Sequence, residues 1–236
     1  MNGSPLQPIG VFDSGVGGLT VLRALCDLMP EESTLYLGDT ARIPYGTRSP
    51  DVVVRYSVQN ARFLEGRGIK LLVVACNTAS AVALPALSQA LSIPVVGVIA
   101  PGARWAAART RSGRVGVLGT AATVASGAYE RALKALRPDV EVWSQACPLF
   151  VPLAEEGWVS GEVPTRVAEF YLQGVRAADV DTLVLGCTHY PLLKDVIAAQ
   201  VGPGVVLVDS AHATADAVRG LLERTGGRVK GTAQPE

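Results

Sequence analysis

Two cysteines stand in matching settings. In "VVACNTAS" (73–80) an apolar run ends on Cys76, which is followed by Asn77 and Thr78. In "LVLGCTHYP" (183–191) a second run ends on Cys187, followed by Thr188 and His189. A thiolate is a base and a thiol is an acid, so a pair of them can move protons in both directions. Two such groups on opposite sides of a cleft suit inversion at carbon. One removes the proton from Cα and the other returns a proton on the far face. Asp13, near Cys76, and His189, two residues past Cys187, are positioned to tune or shuttle that proton. Backbone N–H groups at helix starts suit a carboxylate ligand and the enolate charge that develops on it. The same field is expected to lower each thiol from its free pKa of about 8.5.

These residues need elements that deliver them to one place. Eight short apolar runs read as strands: 9–12, 33–38, 71–75, 94–99, 114–119, 140–144, 182–186 and 205–209. Several are apolar at every position, as strands buried on both faces must be. Between them lie alanine- and leucine-rich stretches with helical spacing, such as "GGLTVLRALCDLM" and "GAYERALKAL". Strand and helix in alternation predict parallel sheets covered by helices on both faces. In such sheets ligands bind beyond the carboxyl ends of the strands. Asp13–Ser14, Asp39–Thr40, Cys76–Asn77–Thr78 and Cys187–Thr188–His189 all fall there, most of them with a helix expected just after.

The chain also repeats itself. "VFDSG" (11–15) matches "VLGTA" (117–121), "VVACNTAS" matches "LVLGCTHY", and "IPVVGVIAPG" (93–102) matches "GVVLVDSAHA" (204–213). The order is the same in both halves. The fold class expected is therefore α/β: two similar doubly wound parallel-sheet domains related by pseudo-twofold symmetry, with the active site in the cleft between them. The first domain is expected to take residues 1–99 plus 209–236, and the second 100–208. The crossovers fall in "IAPGA" (99–103) and "VDSAH" (208–212). The tail from 213 is expected to return over the first domain, with "RTGGRVKGTAQPE" (224–236) frayed.

Composition sets the outer limits. The 236 residues are 49% hydrophobic and 18% charged, with a formal net charge of zero. That is enough chain for a sizeable core, and there is no basic stripe of the kind nucleic-acid binding needs. The N-terminus does not read as a signal peptide, and no apolar run approaches the roughly 20 residues of a membrane span. A cytoplasmic protein is expected, and its four cysteines are expected to be free thiols. Without a CxxC pair a structural zinc site has little support. No lysine sits in a recognisable Schiff-base setting, so neither a metal nor a pyridoxal cofactor is expected.

Five motifs in order, "VFDSGVGGLTVLRAL", "YLGDTARIPYGTRS", "VVACNTASA", "CPLFVPLAEEG" and "LVLGCTHYPLL", resemble those of the glutamate racemases. The likeness runs from about residue 9 to 215. It implies a cofactor-independent enzyme that makes D-glutamate for peptidoglycan, a homodimer, and two α/β domains around the site. Carried over by motif position, Cys76 and Cys187 would be the two acid/base residues. Asp13, His189 and Glu155 would support them, Glu155 rather than its neighbour Glu156 aligning with the family's acid. Ser14, Asp39, Tyr45, Gly46, Asn77, Thr78 and Thr188 would bind the substrate together with Asp13 and His189.

Other readings of the same residues compete. "DSGVGGLT" has the strand, glycine turn and helix of a dinucleotide site, with Asp39 near the position of a ribose acid. But Thr20 stands where the third glycine belongs, and Asp13 would face the phosphates. An amino-acid-binding module would explain the helix starts but not two matched thiols. Racemases of aspartate or hydantoins share the cysteine pair; Tyr45–Gly46 and "GCTHYP" favour glutamate. Cys26 and Cys147 read as core residues, His212 as a surface or hinge residue, and Trp105, Trp143 and Trp158 as packing residues.

Overall fold

A computed structural model describes residues 4–229 of the chain. The apolar runs form two four-stranded parallel sheets. In the first, β1 (Ile9–Asp13), β2 (Thr34–Gly38), β3 (Leu71–Val74) and β4 (Val95–Gly97) lie in the order β2-β1-β3-β4. In the second, β5 (Arg114–Gly119), β6 (Glu141–Ala146), β7 (Thr182–Gly186) and β8 (Val206–Asp209) repeat it as β6-β5-β7-β8. The internal repeat of the sequence is thus a repeat of topology: β1 corresponds to β5, β3 to β7 and β4 to β8. Along β3, Leu71 and Val73 enter one core while Leu72 and Val74 enter another. Strands side chains alternate between faces, so a strand covered on both sides must be apolar throughout.

The helices in chain order are α1 (Leu19–Leu28), α2 (Pro50–Glu65), α3 (Asn77–Val82), α4 (Leu84–Ala90), α5 (Ile99–Arg109) and α6 (Ala121–Ala125). They continue with α7 (Ala128–Leu136), α8 (Phe150–Glu155), α9 (Glu162–Ala177), α10 (Lys194–Val201) and α11 (Ser210–Thr225). Both expected crossovers are helix starts. The strand expected to reach residue 99 stops at Gly97 because Ile99 already opens α5. Pro101 is tolerated there because the first turn has no intrahelical partner for its missing N–H. Ile99, Ala103 and Ala106 of α5 pack with Val115 and Val117 of the second sheet. Ala211, Ala215, Val218 and Leu222 of α11 pack with Val21, Leu25 and Met29 of the first.

The tail departs from expectation. Residues 224–229 are anchored rather than frayed, and residues 230–236 lie outside the described region. Gly226, at φ +65°, ends α11 in the left-handed conformation that glycine adopts without a Cβ penalty. The chain then turns onto Lys70, whose ammonium donates to Gly227 O at 2.9 Å, to Pro5 O at 2.6 Å and to the Glu32 carboxylate. Glu32 also accepts from Val229 N at 2.8 Å, and Arg228 pairs with Glu31 and Glu223.

Two packing expectations also change. Cys26 is exposed, because the buried stripe of α1 runs through Val21, Ala24 and Leu25 and leaves position 26 on the other side. Trp158 is 54% exposed, whereas Trp143 packs against Gly174 of α9 and Trp105 lies under the Arg109 guanidinium. Cys147 is fully buried and His212 is exposed, as their settings suggested.

Candidate active site

Strand order decides where the chemistry collects. In each sheet the chain leaves the first central strand toward one edge and the third toward the other. The loops after these two strands part and leave a crevice. Asp13 ends β1 and Cys76 follows β3; Gly119 ends β5 and Cys187 follows β7. Both crevices open into one cavity of about 340 Å³, lined by Cys76 and Cys187 together. That is the low end of the range for small-molecule sites. Among the described residues no His, Cys, Asp and Glu side chains cluster as a metal site would require.

Cys76 is the N-cap of α3, its Sγ accepting from Ala79 N at 3.4 Å. The sequence reading expected this position to lower the thiol pKa. Burial and the nearby Asp13 carboxylate outweigh it and push the thiol up to about 11. Cys187 is followed not by a regular helix but by a 3-10 turn over Tyr190–Leu193 that leads into α10. Burial pushes its thiol up to about 12, against the help of the His189 backbone N–H.

Each thiol has its own company. His189 Nδ1 lies 3.8 Å from Cys187 Sγ, and its Nε2 lies 3.1 Å from Glu155 Oε1 at the end of α8. A carboxylate can only accept, so Nε2 donates to Glu155 and Nδ1 is the ring nitrogen that faces the thiol. Asp13 is wholly buried. Its Oδ2 accepts from Gly15 N at 2.9 Å, and its Oδ1 has no partner among the described residues. Burial raises its pKa, although the backbone at Gly15 and Gly18 and the nearby His189 work the other way. The Asp13 charge raises both thiols, Cys76 more prominently than Cys187.

Ser14, Tyr45, Gly46, Asn77, Thr78, Thr188, His189 and Glu155 line the cavity; Asp13, fully buried behind it, and Asp39 do not. The Asp39 carboxylate is occupied by the Tyr45 hydroxyl, by Asn60 Nδ2 at 3.0 Å and by Arg42 Nε at 2.9 Å. Burial alone would raise the Asp39 pKa; these three donors overcome it and hold it low. Its observed role is to tether Tyr45, whose 3-10 turn Tyr45–Thr47 forms one wall.

The glycine turn after β1 is explained by packing. A Cβ on Gly17 would collide with Thr188 and His189, and one on Gly18 with Asp13 and Ala75. Gly17 lets the two halves approach, Gly18 lets the turn pack on its own sheet, and Thr20 Oγ1 donates across to Thr188 O at 3.2 Å. With Asp39 also engaged elsewhere, neither feature of a dinucleotide site survives.

Thr120 and Thr123 were not singled out in the sequence. Thr120 lines the cavity, and its hydroxyl meets those of Thr78 at 2.9 Å and Thr123 at 3.0 Å, joining the two halves. The signal was present in the repeat, where Thr120 occupies the place of Ser14. Pro148, Val151 and Pro152, from the "CPLFVPLAEEG" motif, complete an apolar wall.

The model for the family described as Asp/Glu/Hydantoin racemase matches residues 19–218. A glutamate racemase of Geobacter metallireducens is 64% identical over 218 residues, covering 92% of this chain and 81% of the relative. The crystal structure of the Francisella tularensis glutamate racemase in complex with D-glutamate is similar with a TM-score of 0.91 at 38% identity, covering 97% of this chain and 85% of that one. The Thermus thermophilus glutamate racemase, in complex with β-chloro-D-alanine, gives a TM-score of 0.88 at 51% identity with the same coverage.

Proposed function

The chain belongs to the Asp/Glu/hydantoin racemase family and, within it, to the glutamate racemases, and from that premise we propose that its cleft interconverts L- and D-glutamate by two-base proton transfer without a cofactor. The observation that carries this reading is the pair of buried cysteines at equivalent crevices of two repeated sheets, facing one cavity. One thiolate takes the Cα proton, and the C–H bonding electrons pass into the adjacent carboxylate. The second thiol then gives its proton to the opposite face of Cα and is left as the thiolate. Inversion is complete and the two sulfurs have exchanged protonation states.

The surroundings suit that cycle. Asn77 Nδ2, Thr78, Thr188 and Ser14 offer donors to the substrate's carboxylates, with the Tyr45–Gly46 turn closing the far end. Asp13, buried behind the cavity wall, assists at Cys76 through its charge. His189, with Glu155 behind it, takes and returns the Cys187 proton. In this reading the units 1–99 with 209–236 and 100–208 close on the substrate. A homodimer, a cytoplasmic location and the supply of D-glutamate for peptidoglycan complete it. Among the described residues no helix is long and apolar enough to cross a membrane.

The direct test is incubation with L-glutamate in D₂O, with chelator present and no cofactor added, beside a sample with L-aspartate. Loss of optical activity and deuterium entry at Cα are expected with glutamate alone. Reaction of aspartate instead would keep the chemistry and overturn the substrate; no reaction of either by folded, reduced protein would overturn the enzyme.

Glu155→Gln tests the His189 assignment. The amide oxygen can still accept from Nε2, but the charge that steadies a protonated ring is lost. We expect kcat to fall about tenfold, the scale of one hydrogen bond to a charged group, with KM little changed. Steady-state kinetics in both directions would check this, and an unchanged kcat would remove Glu155 from the relay.

A further inference from the structure

A buried tyrosine outside the cavity wall connects both cysteine loops. Tyr129, on α7 of the second unit, is 3% exposed. Its ring lies against Gly186, the residue before Cys187, where an added Cβ would stand 3.0 Å from the ring. It also lies against Gly102 of α5. Its hydroxyl crosses to the first unit and meets Asn77 Oδ1, on the residue after Cys76, at 2.7 Å.

The direction of that hydrogen bond is fixed by chemistry. An amide oxygen only accepts, so Tyr129 donates. Burial keeps the phenol protonated by pushing its pKa well above the ordinary value. Ser210, at the start of α11, packs beside the phenol over Gly102. The hydrogen bond therefore runs from Tyr129 to Asn77. At its end Asn77 Nδ2 is buried without a partner among the described residues, on a residue that lines the cavity. A buried donor left unpaired is destabilising, and a ligand's acceptor can relieve that cost.

We infer that Tyr129 is a positioning residue, which fixes the Asn77 amide so that its N–H₂ edge, and not its oxygen, faces the substrate carboxylate. Among the described residues no hydrogen bond other than that from the phenol distinguishes the two ends of the amide. The flipped form would oppose its oxygen to a carboxylate. This assignment rests on the glutamate reading of the cleft.

The test uses Tyr129→Phe, which keeps the ring against Gly102 and Gly186 and removes only the hydroxyl. KM for glutamate should rise roughly tenfold, with kcat within about threefold of wild type and the thermal midpoint nearly unmoved. Calorimetric Kd values for D-glutamate are then compared for wild type, Tyr129→Phe, Asn77→Ala and the double variant. The loss caused by Tyr129→Phe should vanish in the Asn77→Ala background, because the hydroxyl then has nothing to orient. An unaltered KM in Tyr129→Phe, or an equal loss of affinity in both backgrounds, would overturn the assignment. Wild-type protein that leaves glutamate unracemised would instead overturn the functional reading itself.

Discussion

Replacing either Cys76 or Cys187 with alanine should lower racemisation by at least about 10³-fold, within the range carried by a positioned acid or base. The fold should survive, since each change removes one small buried atom. The more informative result concerns exchange. If the thiols face opposite sides of Cα, a variant with one thiol can remove and return a proton only on its own side. Each variant should then exchange the Cα hydrogen of one enantiomer with D₂O slowly and without inversion, and the two variants should choose opposite enantiomers. Near-native turnover by Cys187→Ala would refute the two-base scheme. Exchange of the same enantiomer by both variants would place the thiols on one face.

The pH dependence follows from the same groups. Burial holds the free thiols near 11 and 12, so the thiolate is scarce at neutral pH. A raised pKa on the base means its active form grows as pH rises. In wild type kcat/KM should therefore climb between pH 7 and 9, approaching tenfold per unit where thiolate supply limits the rate.

What could be read beforehand and what could not divide along a physical line. The strands were legible because a strand buried on both faces leaves an unbroken apolar signature, as in Leu71–Val74 and Thr182–Gly186. The two-sheet architecture was legible because the motifs recur in order, and β1, β3 and β4 do correspond to β5, β7 and β8. The cavity residues adjoining each cysteine followed from strand ends. Missed features depend on partners distant in sequence. Asp39 resembles a strand-end ligand until Arg42, Tyr45 and Asn60 are seen to occupy it. The thiols were expected to be acidic from local helix starts, but burial by both halves reverses the sign. Tyr129 reads as an ordinary buried aromatic of an amphipathic helix; only the partnerless Asn77 Nδ2 gives it a task.

The largest stability effect is expected far from the chemistry. Lys70 and Glu32 are each 1% exposed in their side chains and meet as an ion pair. They stand just before β3 and β2, at the amino-terminal end of the first sheet's strands, opposite the cleft. Removing one member of a buried pair leaves an unpaired charge and costs about 3–5 kcal/mol. Lys70→Met should therefore lower the thermal midpoint by roughly 10 °C in a protein of this size. The loss is compounded because the ammonium also holds Pro5 O and Gly227 O, and so the N-terminal segment and the turn after α11. Adding Glu32→Leu should recover part of the loss, since an apolar pair no longer strands a charge, although Val229 N then loses its acceptor. Below the midpoint both variants should racemise at nearly the wild-type rate, because the pair lies at the wrong end of the sheet to touch the substrate. A midpoint within about 2 °C of wild type for Lys70→Met would show that the pair contributes little, as many exposed pairs do. A selective loss of turnover in the folded variant would show that the turn after α11 reaches the cleft through α1, and would make the C-terminal anchor part of the catalytic unit.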